Sequence, residues 1–214
     1  FSLPGDGING LFEALRKRKD KLRFIQVRHE EAAAFAACGY AKYAGRLGVC
    51  MATSGPGGIQ LLNGLYDAKM DKQPVLAITG QTFSDLKGSY YQQEVKLTGR
   101  FQDVTVYNEE VIDPNQVGML TSEACRHAID HRGVAHISFP VDYQEKEPDN
   151  KLSMHNVHGH TSNHWGPGAA TPPEAELRAA AFILNAAKRP VILAGQGALN
   201  ARDYTLMQGL MIIF

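Results

Sequence analysis

The sequence Pro-Val-Leu-Ala-Ile-Thr at residues 74–79 is the feature that most constrains how this chain can fold. It is a nearly continuous apolar run between polar segments, which is typical of a strand buried on both faces. Strands of this kind occur in parallel sheets that are covered by helices. The run therefore predicts an α/β fold.

Helical and strand patterns alternate on both sides of this run. Short turns connect these helical and strand segments, so the alternation predicts a parallel sheet flanked by helices on both faces. Asp6 is the predicted N-cap of the first helix, and Gly45 is expected to end the second. The predicted helices are 8–18, 30–44, 57–70 and 115–129, and the other predicted strands are 24–27, 48–53, 104–107 and 134–139.

The composition divides the chain into three parts. Residues 1–145 carry the α/β pattern, whereas 146–172 are rich in Pro, Asn, His, Gly and Ser and read as a linker. Residues 173–214 begin with a helical pattern and continue with a strand and a glycine turn at 189–197. This part predicts the incomplete start of a second α/β domain. Because both ends of the sequence lack a finished element, we expect a fragment of a longer protein.

Charge and cysteine content narrow the class of protein. Lysine and arginine together number 22, as do aspartate and glutamate, so the net charge gives no argument for a nucleic-acid partner. No apolar run is long enough to form a transmembrane segment. The three cysteines have no paired spacing and read as small buried residues, which favours a reducing, cytoplasmic location.

Two short motifs carry the chemical signal. In the first, Val-Arg-His-Glu-Glu at 27–31 places a carboxylate where a strand turns into an alanine-rich helix. In the second, Thr-Ser-Gly-Pro-Gly-Gly at 53–58 forms another strand-to-helix turn from residues that leave the backbone accessible. Taken alone, Glu30 and Glu31 could simply stabilise a helix N-terminus, and the glycine turn could bind phosphate, although a P-loop lysine is missing.

In this order and spacing, the two motifs resemble the pyrimidine-binding domain of thiamine-diphosphate enzymes of the pyruvate oxidase and acetolactate synthase family. Three more segments fit the same order, at 3–11, 63–68 and 74–81, and residues 189–197 resemble the start of the family's central domain. The resemblance implies an enzyme that decarboxylates a 2-oxo acid, either as an oxidase or as a carboligase. The alternative is a non-catalytic assembly or binding module with the same fold.

The resemblance also assigns roles to individual residues. Glu30 is the expected catalytic group, hydrogen-bonded to a ring nitrogen of the cofactor's aminopyrimidine so that the imino form becomes accessible. Burial would favour its protonated form and the helix N-terminus its ionised form, and the sequence leaves both open. The expected cofactor-binding residues are Ser54, Gly55, Pro56, Gly57, Gln60 and Asn63, and the expected substrate-binding residues are Gln81 and Gln93. Relatives often carry phenylalanine where this chain has Gln92, which could mean a more polar substrate.

The remaining expectations concern the cofactors and partners. Gly5-Asp6-Gly7 looks like part of a magnesium motif but lacks the paired asparagines, so we predict no metal ligand in this chain. The resemblance implies Mg²⁺ bound by ligands outside this segment, FAD as a possible cofactor of the central domain, and a homodimer or homotetramer. Because a diphosphate-binding domain is missing, we expect the fragment alone to be inactive.

Overall fold

The computed structural model describes residues 1–149, 151, 153–156, 171–191, 193 and 195. The chain divides into two compact units, Phe1–Gly168 and Ala169–Phe214. The first unit contains the sheet and its covering helices. Its helices are α1 (Asn9–Lys17), α2 (Glu30–Ala44), α3 (Pro56–Gln60), α4 (Leu62–Met70), α5 (Leu97–Phe101), α6 (Val117–Asp130) and α7 (Val141–Gln144), and its strands are β1 (Gly48–Ala52), β2 (Val75–Gln81), β3 (Thr105–Glu110) and β4 (Val134–Pro140).

The four strands form one parallel sheet in the order β1-β2-β4-β3. Every residue of the central strand β4 is buried, and β2 is buried except for the half-buried Ile78. Beyond β1, Ser2 forms parallel bridges to Met51 and to Gln26, so two short segments continue the hydrogen-bonding pattern. The prediction of a parallel α/β sheet is confirmed.

Apolar side chains cover both faces of the sheet in two separate clusters. Val75 and Ala77 of β2 point into a cluster with α2, α4 and α5, whereas Leu76 points into a second cluster with α6. This alternation follows from the period of two along a strand. The predicted covering of the sheet by helices on both faces is therefore present.

The alanine-rich helix α2 begins at Glu30 and ends at Ala44, as predicted. Gly45 follows it with a φ of 63°, a left-handed conformation that favours glycine at the end of a helix. Small side chains bring α2 close to α4, because a methyl group added to Gly64 would lie 2.5 Å from the backbone nitrogen of Phe35. The tight contact fixes the start of α2 relative to the elements that follow β1.

Three local predictions are wrong. Asp6 does not cap the first helix: residues Asp6–Ile8 form a 3₁₀ turn, and the Asp6 carboxylate accepts a hydrogen bond from the Asn9 side chain instead. Residues 24–27 form only a bridge to Ser2 rather than a strand. The helix predicted at 57–70 is divided into α3 and α4 because the Leu61 N–H bonds to the Gly58 carbonyl, one residue closer than in an α-helix.

The second unit contains helix α8 (Glu174–Ala186), close to the helix predicted after Pro173. The strand and turn predicted at 189–197 fall partly on residues 192, 194, 196 and 197, outside the described residues, as do residues 204–214. The boundaries of the linker and of the second domain stay predictions.

Candidate functional site

Two chain turns meet at the carboxyl edge of the sheet, where parallel α/β folds bind ligands. The Gly7 N–H donates a 2.9 Å hydrogen bond to Oγ1 of Thr53, which follows β1. On the other side, a methyl group added to Gly80 would lie 2.2 Å from the Gly7 carbonyl oxygen. Residues 5–7 are therefore held between the ends of β1 and β2, with no room for a side chain at Gly5 or Gly7.

Glu30 lies at this edge as the first residue of α2 and is half-buried. His29, in extended conformation, caps the helix by accepting a hydrogen bond from the Glu31 N–H. Among the described residues, the Glu30 carboxylate has no hydrogen-bonding or ion-pairing partner of its own. Its capacity to accept or share a proton is thus left for a group from outside this part of the chain.

The Glu30 carboxylate faces the turn at residues 53–58. A methyl group added to Gly57 would lie 3.2 Å from Oε1 of Glu30 and 2.6 Å from Cγ2 of Thr53. Gly57 therefore lies next to the carboxylate, and a side chain at this position would collide with Thr53.

The rest of the turn is shaped by backbone conformation. Gly55 has a φ of 61° and ψ of −119°, and Pro56 opens α3 at its first turn, where its missing N–H costs nothing. Ser54 and Gly55 are buried, whereas Pro56 is exposed. The Ser54 hydroxyl donates a 3.3 Å hydrogen bond to Oε1 of Gln93. The turn thus links the surroundings of Glu30 to Gln93, which is predicted to contact the substrate.

Gln60 and Asn63 lie on the exposed surface of α3 and α4. The Asn63 amide nitrogen donates a 2.8 Å hydrogen bond to Oε1 of Glu31. This contact holds the start of α2 against α4, next to the position of Glu30. The predicted cofactor contacts of Gln60 and Asn63 stay predictions.

The two candidate substrate residues have different surroundings. Gln81 is buried at the end of β2, where its Nε2 donates to the Val95 carbonyl and its Oε1 accepts from the Thr82 N–H. Both ends of its side chain are thus engaged in the protein. Gln93 is exposed and has a φ of 61°, which is unusual for a residue with a side chain.

A buried polar network that no sequence pattern indicated lies beneath the turn. Asn108 donates to the Thr98 carbonyl, so its Oδ1 accepts from Nδ1 of His136, and Nε2 of His136 accepts from the Thr79 hydroxyl. The imidazole stacks on the Phe101 ring at 4.1 Å between centroids. Burial lowers the pKa of His136 to about 3, so the ring is neutral.

This network reaches the site through Thr79. A methyl group added to Gly58 would lie 3.3 Å from Cγ2 of Thr79, so the threonine supports α3 from below. Thr53 is the first residue of the predicted turn, but sequence reasoning gave it no part in the site. Its hydrogen-bonding partner Gly7 is 46 residues away in sequence, so no local pattern indicated the contact.

Among the described residues, no group of three or more His, Cys, Asp or Glu side chains is able to hold a metal ion. Over the same residues, no helix has both the length and the apolar character needed to cross a membrane.

Fold and site together define a parallel α/β domain with a carboxylate and a glycine turn at its ligand-binding edge. The family model described as thiamine pyrophosphate enzyme, N-terminal TPP binding domain, matches residues 1–100. Residues 1–100 thus belong to the thiamine pyrophosphate enzyme family as its N-terminal TPP binding domain. The resemblance inferred from the motifs is confirmed.

Three relatives are similar to this chain over most of its length. YdaP of Bacillus subtilis (strain 168), a protein named for thiamine pyrophosphate, is 44% identical over 202 residues, which are 94% of this chain and 34% of YdaP. Pyruvate oxidase of Lactiplantibacillus plantarum is 35% identical over 201 residues, 94% of this chain and 33% of that protein. Acetolactate synthase large subunit of Corynebacterium glutamicum is 35% identical over 209 residues, 94% of this chain and 31% of that subunit. The chain thus spans about a third of the length of these relatives.

Proposed function

We propose that this chain is the N-terminal part of a thiamine-diphosphate-dependent enzyme that decarboxylates a 2-oxo acid. The reaction would end in oxidation, as the name pyruvate oxidase describes, or in carboligation, as in acetolactate synthase. One observation supports the proposal most strongly: the half-buried Glu30 carboxylate lies next to Gly57 of the glycine turn and has no partner of its own among the described residues.

Glu30 has the chemistry that this role requires. When bound, thiamine diphosphate supplies a carbon nucleophile and an electron sink for decarboxylation. In this role Glu30 would exchange a proton with a ring nitrogen of the aminopyrimidine, since its carboxylate lies at this edge and has no other partner among the described residues. The backbone of Gly55 and Gly57 lets the ring approach closely, and Ser54 and Pro56 fix the shape of the turn.

Gln93 completes the proposed site on the substrate side. Its Oε1 accepts from Ser54, so its amide nitrogen remains to donate to the carboxylate or carbonyl oxygen of a 2-oxo acid. Gln81 is a weaker candidate, because both ends of its side chain already bind the protein. Its role in substrate binding would be to hold Val95 and the neighbouring loop.

The remaining components lie outside the described residues. Mg²⁺ would be held with the diphosphate by another domain, FAD would occupy a central domain, and the active protein would be a homodimer or homotetramer. The three cysteines are free and buried, which fits a reducing cytoplasmic location.

Replacing Glu30 with glutamine in the full-length protein tests the proposal. Since the amide cannot exchange the proton, we expect turnover of pyruvate to fall about a hundredfold or more. Decarboxylation is measured as CO₂ release, and cofactor binding by calorimetry with thiamine diphosphate and Mg²⁺.

Glu31→Gln is the matched control. It removes the same charge one residue later and keeps an oxygen that can accept from Asn63, so turnover should be nearly unchanged. Near-normal turnover in Glu30→Gln would contradict the catalytic role. If the unmodified protein failed to bind thiamine diphosphate with Mg²⁺, the non-catalytic binding module would be the better description.

A further inference from the structure

The segment between β2 and α5, residues 82–96, is firmly attached at both ends. At its start, the backbone N–H and the hydroxyl of Ser84 donate to the Asp142 carboxylate at 2.8 and 2.7 Å. At its end, the Val95 carbonyl accepts from buried Gln81 at 3.0 Å. We call this segment the 82–96 loop. Its two ends are fixed by Asp142 of α7 and by Gln81 of β2, so its function depends on what shapes the middle.

The middle of the loop folds around one carboxylate. The Glu94 side chain accepts from the Gly88 N–H at 2.5 Å and from the Tyr91 N–H at 3.2 Å. These backbone hydrogen bonds, that of Gly88 above all, lower the pKa of Glu94 and keep it ionised. Backbone N–H groups that converge on an anion form an anion-binding concavity, and here the anion belongs to the chain itself.

This fold imposes unusual backbone conformations. Gly88, Tyr90 and Gln93 have φ values of 88°, 60° and 61°. Residues with side chains adopt this left-handed region at a cost, and such positions cluster at functional sites. Tyr90 is exposed and gains no packing that could offset this cost. The Glu94 hydrogen bonds help to hold the conformation, together with the backbone bond from Glu94 to the Tyr91 carbonyl and the contact between the Tyr91 and Phe83 rings.

The conformation places Gln93 against the glycine turn. The Gln93 carbonyl oxygen would lie 2.5 Å from a methyl group added to Gly55, and its side chain accepts from Ser54. Since the amide oxygen accepts from Ser54, the amide nitrogen remains to donate to a ligand that can accept a hydrogen bond. A shift of the loop would lose both contacts at once.

We propose that Glu94 is a positioning residue that folds the 82–96 loop so that Gln93 presents its amide nitrogen to the carboxylate of a 2-oxo acid. Glu94 does not contact the substrate and acts only through Gln93. This inference rests on the proposed function for the identity of the ligand. The part of the inference that concerns the shape of the loop does not depend on the ligand, because it is drawn from the hydrogen bonds of Glu94.

The test compares Glu94→Ala, Gln93→Ala and the double variant in the full-length protein. We expect Glu94→Ala to raise KM for pyruvate about tenfold, with a smaller change in kcat and unchanged affinity for thiamine diphosphate. Because Glu94 acts through Gln93, the double variant should have the KM of Gln93→Ala and no more. Glu94→Gln, which keeps one acceptor oxygen, should lie between Glu94→Ala and the unmodified protein.

A second measurement is independent of activity. Hydrogen exchange at the amides of Gly88 and Tyr91 should accelerate in Glu94→Ala and Glu94→Gln. The matched control is Asp85→Asn, which removes an exposed charge from the same loop and should change neither exchange nor KM.

The possible results are distinguishable. Additive KM effects of the two alanine variants, or unchanged exchange at Gly88 and Tyr91, would overturn the positioning role even if Glu30→Gln is inactive. An active Glu30→Gln would overturn the proposed function, whereas faster exchange in Glu94→Ala would still establish the role of the carboxylate in folding the loop.

Discussion

The candidate site has two walls that are constructed by different means. The first wall is made of the glycine turns at 5–7, 53–58 and 80, where a methyl group added to a glycine would lie 2.2–2.6 Å from a neighbouring atom. The second wall is the middle of the 82–96 loop, where a carboxylate binds backbone amides and two residues with side chains have positive φ. Steric exclusion fixes the first wall, and a few partly exposed hydrogen bonds fix the second.

This difference separates two functions. A wall that is packed against the sheet can change only if the core changes, which suits a cofactor site that must keep one geometry. A wall held by exposed hydrogen bonds can open at a modest cost, because water competes for the same groups. We therefore expect changes in the first wall to affect folding and cofactor binding, and changes in the second to affect mainly the substrate.

Gly80→Ala should produce the largest loss of stability. Its methyl group would lie 2.2 Å from the oxygen and 2.8 Å from the carbon of the Gly7 carbonyl, and backbone on both sides cannot move independently. Overpacking of this kind costs about 3 kcal/mol, measured as the free energy of unfolding in denaturant.

Gly118→Ala is the control for this change, because nothing lies within 4 Å of the added methyl group on α6. It should leave stability unchanged or raise it by about 0.5–1 kcal/mol through helix propensity. Equal stability of the two variants would show that the first wall can yield, and the contrast between the walls would be lost.

Acid should act on the first wall before it acts on the second. The pKa of buried His136 is lowered to about 3, so the unfolded chain binds a proton near pH 6.5 that the folded chain does not. Stability from this group is present above pH 6.5 and decreases as the pH falls below it. Between pH 7 and 5 the loss amounts to about 2 kcal/mol.

The measurement is the free energy of unfolding at several pH values for the unmodified protein and for His136→Gln. Since all other histidines are shared, the difference in pH dependence between the two proteins isolates His136. Parallel pH profiles would contradict the neutral buried imidazole. The Glu94 carboxylate has a lowered pKa, so the second wall should keep its hydrogen bonds through this pH range.

The sequence predicted the parts of the fold that depend on repeated patterns. The bounds of helix α2 were predicted from Glu30 at its start and from Gly45 after its end, because a single residue type can mark each position. The buried strand at 74–79 was visible because both of its faces are apolar. The segment at 24–27 was misjudged, since it forms only one bridge, between Gln26 and Ser2, and pairs with no full strand.

The candidate site was predictable where the type of a residue itself suggested its role, as for a carboxylate at a helix start or a glycine in a turn. The family resemblance implied that Glu30 and the glycine turn bind the same cofactor ring, and the structure brings Glu30 next to Gly57. Side-chain partners distant in sequence were not predictable: Asn63 with Glu31, or His136 with Thr79 and Asn108. These pairs depend on which way a helix or strand is turned, which no local pattern specifies.

Tyr90→Gly is expected to have the smallest effect and is the reverse of the test at Gly80. Tyr90 has a φ of 60° and is 99% exposed, so glycine relieves the backbone at no loss of packing. Glycine also gains freedom in the unfolded chain, and the two effects nearly cancel, giving a change within about 0.5 kcal/mol in the free energy of unfolding. Tyr43→Gly, at a residue that is 95% exposed but lies within α2, should lose about 1 kcal/mol, because glycine is unfavourable in a helix. A loss at Tyr90 as large as that at Tyr43 would mean that the tyrosine side chain itself supports the second wall, and that Glu94 alone does not explain its shape.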